Sequence, residues 1–236
     1  LTGKLTPQAE AELNQQLGRA EVILARRLNK DIVDRAPNLK WIQLIGAGVD
    51  QVVETGIFER SIIATNATGL QAGTISEYVL GLMLMWVKQS RRYLISQQNK
   101  LWERYIVAEL HGKIVGIVGL GQIGSAVARL AKAFGMQVMA TKKTAVLSEA
   151  DAGNVDKLFP KEKLLDLLSL CDFVVVSVPH TKETQRLISK QELRAMQPNT
   201  FFINVSRGPV VDEAILIQAL KEGWIAGAGL DVFETE

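Results

Sequence analysis

The stretch "GIVGLGQIGSAVARLAKAFGMQVMATKK", residues 116–143, decides the fold. It begins within "KIVGIVGL", residues 113–120, whose paired β-branched residues are broken by glycine and read as a buried strand. That strand runs into Gly119-Leu120-Gly121-Gln122-Ile123-Gly124, and then into "IGSAVARLAKAF", whose apolar residues recur at helical spacing. "MQVMAT" follows as a second strand. Three glycines spaced in this way between a strand and a helix have separate physical jobs. The first permits a tight turn, the second removes a Cβ so that backbone can approach a diphosphate, and the third lets helix and strand pack closely. The helix N-terminus adds unpaired N–H donors and the positive end of its dipole. The order strand, loop, helix, strand therefore predicts a dinucleotide site built on Gly119, Gly121, Gln122, Ile123 and Gly124.

The tip of the second strand bears on which dinucleotide. An NAD-type site carries Asp or Glu about 20 residues after the loop, where it receives the ribose 2′-OH. Here the tip reads Ala140-Thr141-Lys142-Lys143, without a carboxylate. A hydroxyl and two ammonium groups would attract a 2′-phosphate, each charge-assisted contact being worth about 1.5–3 kcal/mol. Thr141, Lys142 and Lys143 thus predict that NADP is preferred and NAD possible.

Outward from this unit the chain repeats the same grammar. Short β-branched runs alternate with helical patterns, the signature of βαβ units around parallel sheets, so the fold class is α/β with two doubly wound domains. "EVILAR", "LKWIQLIG" and "SIIATN" read as strands of the first domain, and residues 74–101 as one long connecting helix. The expected division is 1–88 and 89–236, with the connecting helix at the start of the second domain. After "MQVMAT" an irregular stretch runs to about Phe159. The strands "DFVVVSVP", "TFFINVS" and "IAGAGLDV" then alternate with helices, giving five strands where a doubly wound sheet of this kind usually has six.

The totals exclude other classes. The 236 residues carry 27 Lys and Arg against 25 Asp and Glu, a net charge of +2, with no polybasic face that would suit nucleic acid. The longest apolar run, "YVLGLMLMWV", is far shorter than the ~18 residues that suggest a membrane span, and the start "LTGKLTPQAEAEL" has no secretory pattern. One cysteine, Cys171, precludes an internal disulfide framework. A cytoplasmic protein without a membrane partner is expected, and no residue is assigned to a metal. The apolar helix 78–87 makes a homodimer the expected assembly.

The run "MQPNTFFINVSRGPVVDEAILIQALKEGWIAGAGLDVFETE", residues 196–236, is more specific than the glycine loop. Together with "IGAGVDQV", "ISEYVLGLML", "GIVGLGQIG" and "CDFVVVSVPHTKETQRLI", in that order along nearly the whole chain, it resembles the D-isomer-specific 2-hydroxyacid dehydrogenase family, and a glyoxylate/hydroxypyruvate reductase-like member of it. The resemblance implies a flavodoxin-like substrate domain followed by a Rossmann NAD(P) domain. It gives Arg207 the catalytic guanidinium, whose planar fork can address both the carboxylate and the carbonyl oxygen of a 2-keto acid. It makes Glu236 the carboxylate that keeps a catalytic histidine protonated. Asp231 would hold the nicotinamide carboxamide, with Val205 and Ser206 beside the ring and Thr74 near the same end. The N–H groups of Ala47 and Gly48 would bind the substrate carboxylate, small residues allowing the approach. Pro179, Thr181 and Thr184 fall near the diphosphate, where a turn role for the threonines is equally open.

The family's proton-donating histidine would lie beyond Glu236. His111 and His180 do not match its position; His111 reads as a capping or surface residue. The chain therefore reads as an N- and C-terminally incomplete portion of a longer enzyme, expected on its own to bind cofactor poorly and turn over slowly or not at all. The function the resemblance implies is hydride transfer between NAD(P)H and a small 2-keto acid or D-2-hydroxy acid, with glyoxylate or hydroxypyruvate reduction expected. Two readings stand beside it: an NAD-linked phosphoglycerate- or lactate-type dehydrogenase, and a corepressor-like binding protein that senses NAD(H). A formate dehydrogenase fits less well, because that branch does not use an acid at the Glu236 position.

Overall fold

Thr6 caps the first helix with its side chain, Pro7 occupies the first turn, and α1 (Pro7–Arg19) follows. The computed structural model describes residues 5–144 and 146–235. The chain divides into two compact units, Leu1–Leu70 and Gln71–Glu236.

In the first unit β1 (Val22–Ala25), β2 (Trp41–Leu44) and β3 (Ile63–Thr65) form a parallel sheet in sequence order, with α2 (Lys30–Asp34) between the first two strands. Its core gathers on one face, where Ile42 and Leu44 meet Leu17 of α1 and Val33 of α2. The alternate strand residues Val22, Leu24, Trp41 and Ile63 are exposed. Helices on both faces, expected of a doubly wound sheet, are therefore found in the second unit only among the described residues.

The second unit opens with α3 (Ala72–Val87) and α4 (Ser90–Gln98). The single helix expected over 74–101 is thus two helices. Gln89 stands between them in the left-handed region (φ 53°), and its side-chain amide donates to the Ile106 carbonyl at 2.8 Å. The boundary also falls at Leu70/Gln71 instead of 88/89. The reason is packing: Val79, Leu80, Met83 and Val87 lie in one core with the strands of the second sheet. Trp86 stacks on Phe201 with ring centroids 4.6 Å apart. The glycine-rich strand "GAGL" makes room for this helix, because a Cβ on Gly229 would meet Leu82 at 2.8 Å.

The remaining elements are β4 (Ile114–Val118), α5 (Gln122–Ala133), β5 (Gln137–Lys142), β6 (Lys157–Pro160), α6 (Leu164–Leu168), β7 (Phe173–Val176), α7 (Lys190–Ala195), β8 (Phe201–Asn204), α8 (Glu213–Lys221) and β9 (Gly227–Leu230). They form a six-stranded parallel sheet in the order β6-β5-β4-β7-β8-β9. Chain order reverses between β4 and β7, which makes their carboxyl ends the topological switch point. Alternate residues of the central strands feed two cores: Phe173, Val175, Phe201 and Ile203 face α3 and α5, while Val174, Val176 and Phe202 face α6, α7 and α8. No helix among the described residues is long and apolar enough to cross a membrane.

The expected shortage of one strand is corrected here. The sixth strand is β6, inside the stretch read as irregular. Asp156, just before it, accepts from the Val138 N–H at 2.7 Å and from the Lys132 ammonium at 2.8 Å, tying β6 to β5 and α5. The Lys132 hydrogen bond, then the Val138 one, hold the Asp156 carboxyl below its ordinary range. A depressed folded-state value contributes stability above the unfolded pKa and loses it as pH falls through the folded one. Asp156→Asn is therefore expected to cost about 1 kcal/mol near neutrality, a partly exposed pair contributing little beyond the backbone bond. The difference from wild type should vanish in denaturant melts taken at acid pH.

Cys171 is fully buried and its Sγ donates to the Leu167 carbonyl at 3.0 Å. Burial, with a smaller contribution from Asp172, pushes the thiol up to about 12. The reactive species is the thiolate. Native protein at pH 8 is expected to resist a thiol reagent such as iodoacetamide, and unfolded protein to take up one equivalent.

Candidate functional site

The segments that follow β4, β5, β7, β8 and β9 leave the carboxyl edge of the second unit's sheet, and they carry most of the residues singled out above. Gly119 has φ 101°, a conformation that suits glycine, and a Cβ there would meet Val178 at 2.6 Å. Gly121, at the head of α5, has no neighbour within 4 Å of where a Cβ would stand. A Cβ on Gly124 would lie 2.3 Å from the Gly119 carbonyl oxygen. Turn, open approach and close packing thus fall to the three glycines in the order their spacing implies. The first-turn N–H groups of Gln122, Ile123 and Gly124 have no intrahelical acceptor, by helix geometry. The open side of Gly121 and these donors form a cradle whose size and polarity fit a diphosphate.

The loop is fastened to both neighbouring strands. The N–H groups of Gly119 and Leu120 donate to the Thr141 carbonyl at 3.2 and 3.1 Å. The Ser177 hydroxyl donates to the Gly119 carbonyl at 2.8 Å, across the switch point. Ser177 carries no sequence signal, since an isolated serine after a strand has many uses.

At the tip of β5, Thr141 is buried, so what it gives the loop is its carbonyl, with the side chain turned from solvent. The two lysines are not an isolated positive pair. Lys142 Nζ lies 3.9 Å from Oδ2 of buried Asp151, and Lys143 Nζ lies 3.5 Å from the exposed Glu183 carboxylate. Both acids were invisible to a reading of the tip alone, because neither is close to it in sequence.

After β7, the Thr184 hydroxyl donates to the Pro179 carbonyl at 2.6 Å and accepts from the Thr181 N–H at 2.8 Å. Both threonines therefore build the turn. His180 sits in the same loop and is hydrogen-bonded to the Gln185 side chain.

After β8, Val205 and Ser206 are buried. Asn204 shapes this turn: its Oδ1 accepts from the Ser206 N–H at 3.0 Å and hydroxyl at 2.6 Å, and its Nδ2 donates to the Arg207 carbonyl at 3.2 Å. Arg207 has extended backbone (φ −146°) and is half-buried, with Nη1 donating to the Ser206 carbonyl at 2.9 Å. Gly208 brings the segment after β9 against it, because a Cβ there would fall 1.9 Å from the Phe233 carbonyl oxygen. Asp231 is exposed at the end of β9 and its N–H donates to the Asn204 carbonyl at 3.1 Å. Arg207 and Asp231 are thus held on adjoining loops. Glu236 lies outside the described residues. Thr74 is exposed in the first turn of α3.

In the first unit, Ala47 and Gly48 follow β2, and no acceptor takes their N–H groups among the described residues. Asn66, after β3, holds this loop by donating to the Ala47 carbonyl at 2.8 Å.

A family model described as "D-isomer specific 2-hydroxyacid dehydrogenase, NAD binding domain" matches residues 80–236. The chain belongs to the D-isomer specific 2-hydroxyacid dehydrogenase family. It is 37% identical over 223 residues to a glyoxylate reductase of Thermococcus gammatolerans, covering 91% of this chain and 66% of the relative. The chain thus spans just under two thirds of that relative's length. A D-lactate dehydrogenase of Aquifex aeolicus, solved with NAD and lactic acid, superposes with a TM-score of 0.83 at 28% identity, over 94% of this chain and 67% of that one. A D-isomer specific 2-hydroxyacid dehydrogenase of Xanthobacter autotrophicus Py2, solved with NADPH and MES, gives 0.81 at 31% identity, over 93% and 69%.

As a member of this family the chain has an NAD-binding domain, and its remaining features sort by sheet edge. His111 is at the amino edge, against Gly135 in the turn between α5 and β5, away from every loop described above. A cavity of about 950 Å³ also lies at the amino edge. Lys113, Asp172, Asn199 and Ala226, which precede four of the strands, line one side of it, and Trp86, Ile95 and Ile106 line another. It is not the dinucleotide cradle, since a doubly wound sheet binds its ligand at the carboxyl edge.

Proposed function

We propose that the protein to which this chain belongs reduces a small 2-keto acid, glyoxylate or hydroxypyruvate, with NADPH preferred over NADH. The observation that carries the reading is the position of Arg207, half-buried on the same sheet edge as the glycine cradle and joined by its turn to the loop of Asp231. A bound reduced nicotinamide supplies the hydride. The residues of this chain bind and orient the reactants: Gly121 and the head of α5 take the diphosphate, Val205 and Ser206 border the ring, and Asp231 accepts from the carboxamide. Arg207 binds the anionic carboxylate and stabilises negative charge developing on the carbonyl oxygen. The free N–H groups of Ala47 and Gly48 are donors suited to a carboxylate. Glu236, by its family position, holds a proton-donating histidine in its charged form. The identity to glyoxylate reductases supports this substrate class.

The preference for NADPH rests on Lys143 above all, since its exposed pair with Glu183 is worth about 0–1 kcal/mol and yields readily to a phosphate. The pairing of Lys142 with Asp151 favours a second reading, an NAD-linked oxidation of a D-2-hydroxy acid, in which the tip tolerates either coenzyme. Initial rates on the full-length protein decide between them. Glyoxylate and hydroxypyruvate should be reduced fastest with NADPH. Fast oxidation of D-lactate with NAD would favour the second reading, and tight coenzyme binding without turnover on any keto acid would make the protein an NAD(H)-dependent binding module.

The expected homodimer draws support from apolar surface around α4 and the segment after it. Trp102 and Ile106 are 89% and 96% exposed, and Tyr93, Leu94 and Ile95 are exposed beside them. Light scattering on the full-length protein should give twice the chain mass, and Trp102→Glu with Ile106→Glu should return the monomer. The cytosol is the proposed compartment, to which a lone reduced cysteine is suited.

A further inference from the structure

We propose that Asp151 sets the coenzyme preference of this site, as a fixed internal counter-charge that offsets Lys142. The inference rests on the reading that the tip of β5 meets the ribose of a dinucleotide. The Asp151 side chain is only 4% exposed and cannot swing into solvent. Its Oδ2 accepts from the Ser148 hydroxyl at 2.6 Å, and its backbone joins two turns, donating to the Ser148 carbonyl and accepting from the Asn154 N–H, each at 3.0 Å. Leu147 and Val155, on either side, are packed into the core shared with α3 and α5.

Lys142 Nζ, at 3.9 Å from this carboxylate, is beyond hydrogen-bond reach yet well inside the range of Coulomb attraction. A buried charge is screened little by salt, so the compensation persists at physiological ionic strength. Lys143 differs in kind. Its partner Glu183 is 69% exposed, its own side chain is 79% exposed, and such a pair is broken at almost no cost. Two lysines adjacent in sequence are therefore unequal. One is available to a 2′-phosphate, and the other is already balanced by a carboxylate that would also repel that phosphate. Asp151 thus cancels one of the tip's two positive charges, which keeps the preference for NADPH small.

Fluorescence titration of the full-length protein with NADPH and with NADH tests this without recourse to turnover. Asp151→Asn keeps an acceptor for Ser148 and removes only the charge. NADPH affinity should rise about tenfold, the size of one partly screened charge pair, while NADH changes less than twofold. Adding Lys142→Met should abolish most of that gain, the non-additivity measuring the coupling. Glu183→Gln should move NADPH less than twofold. A second measurement leaves Asp151 in place: Lys143→Met should weaken NADPH more than Lys142→Met does. The proposal is overturned if both coenzymes bind and their ratio in Asp151→Asn stays within twofold of wild type, or if Lys142→Met is the more damaging lysine variant. Failure of the wild type to bind either coenzyme would overturn the dinucleotide reading itself, and this one with it.

Discussion

Gly121→Ala and Gly124→Ala, three residues apart in one loop, are expected to fail in different ways. At Gly121 the backbone is extended (φ −98°), so alanine is conformationally acceptable, and nothing stands within 4 Å of the new methyl. Its only consequence is to fill the approach a diphosphate would use. Thermal stability should stay within about 1 °C of wild type, while NADPH and NADH both bind some 10- to 100-fold more weakly, the loss of one or more good backbone contacts. At Gly124 the methyl would sit 2.3 Å from the Gly119 carbonyl, 3.0 Å from Ile117 Cγ2 and 3.1 Å from Ser177 Oγ. Two of those three are parts of the fold that position the loop. Overpacking of this sort costs about 1–3 kcal/mol, so Gly124→Ala should lower the melting temperature by several degrees and lose binding as well. Paired melts and titrations separate the two. Wild-type coenzyme affinity in Gly121→Ala would show that no diphosphate passes that position.

This contrast also marks what a sequence can carry. The three glycines are legible because each job is local, set by a turn, a missing Cβ and one helix–strand contact. β6 is not legible for the opposite reason: "KLFP" offers two apolar residues, ends in proline, and pairs on one side only, with β5. Its place is fixed by Asp156, through bonds to Val138 and to Lys132, 24 residues before it in the chain. The break at Gln89 has the same character, since the amide that steadies its left-handed backbone reaches forward to Ile106. Among site residues, Arg207 and Asp231 could be named because a long motif surrounds them. Ser177 and Asn66 could not, because each acts on a backbone carbonyl that the fold alone brings near, and Asn204 shapes its own turn by local bonds that many asparagines could make. Charge was the most misleading signal. The tip of β5 reads as doubly positive until Asp151 and Glu183 fold back onto it.

The guanidinium of Arg207 is the other position where a small change should have a large effect. Its backbone is locked between buried Ser206, held by Asn204, and Gly208, which has no room for a side chain against Phe233. Nη1 is already bonded to the Ser206 carbonyl at 2.9 Å, which fixes the plane of the fork. Arg207→Lys keeps the charge and loses the planar, two-pronged geometry, and an ammonium cannot bond a carboxylate and a carbonyl oxygen in the same way. Losing one or two charge-assisted bonds that strengthen as the carbonyl oxygen becomes negative should lower kcat/KM for glyoxylate by about 10²–10³-fold. Arg207→Gln, which also removes the charge, should go lower still and raise KM, because the substrate carboxylate then loses its partner. Coenzyme affinity should remain within about threefold in both variants, since the diphosphate cradle is on other loops. That split distinguishes a group acting on the substrate from one that merely shapes the turn, which would weaken coenzyme binding and turnover together. If Arg207→Lys turned over glyoxylate at the wild-type rate, the fork would be a structural prop for Ser206, and the carboxylate would have to be recognised elsewhere.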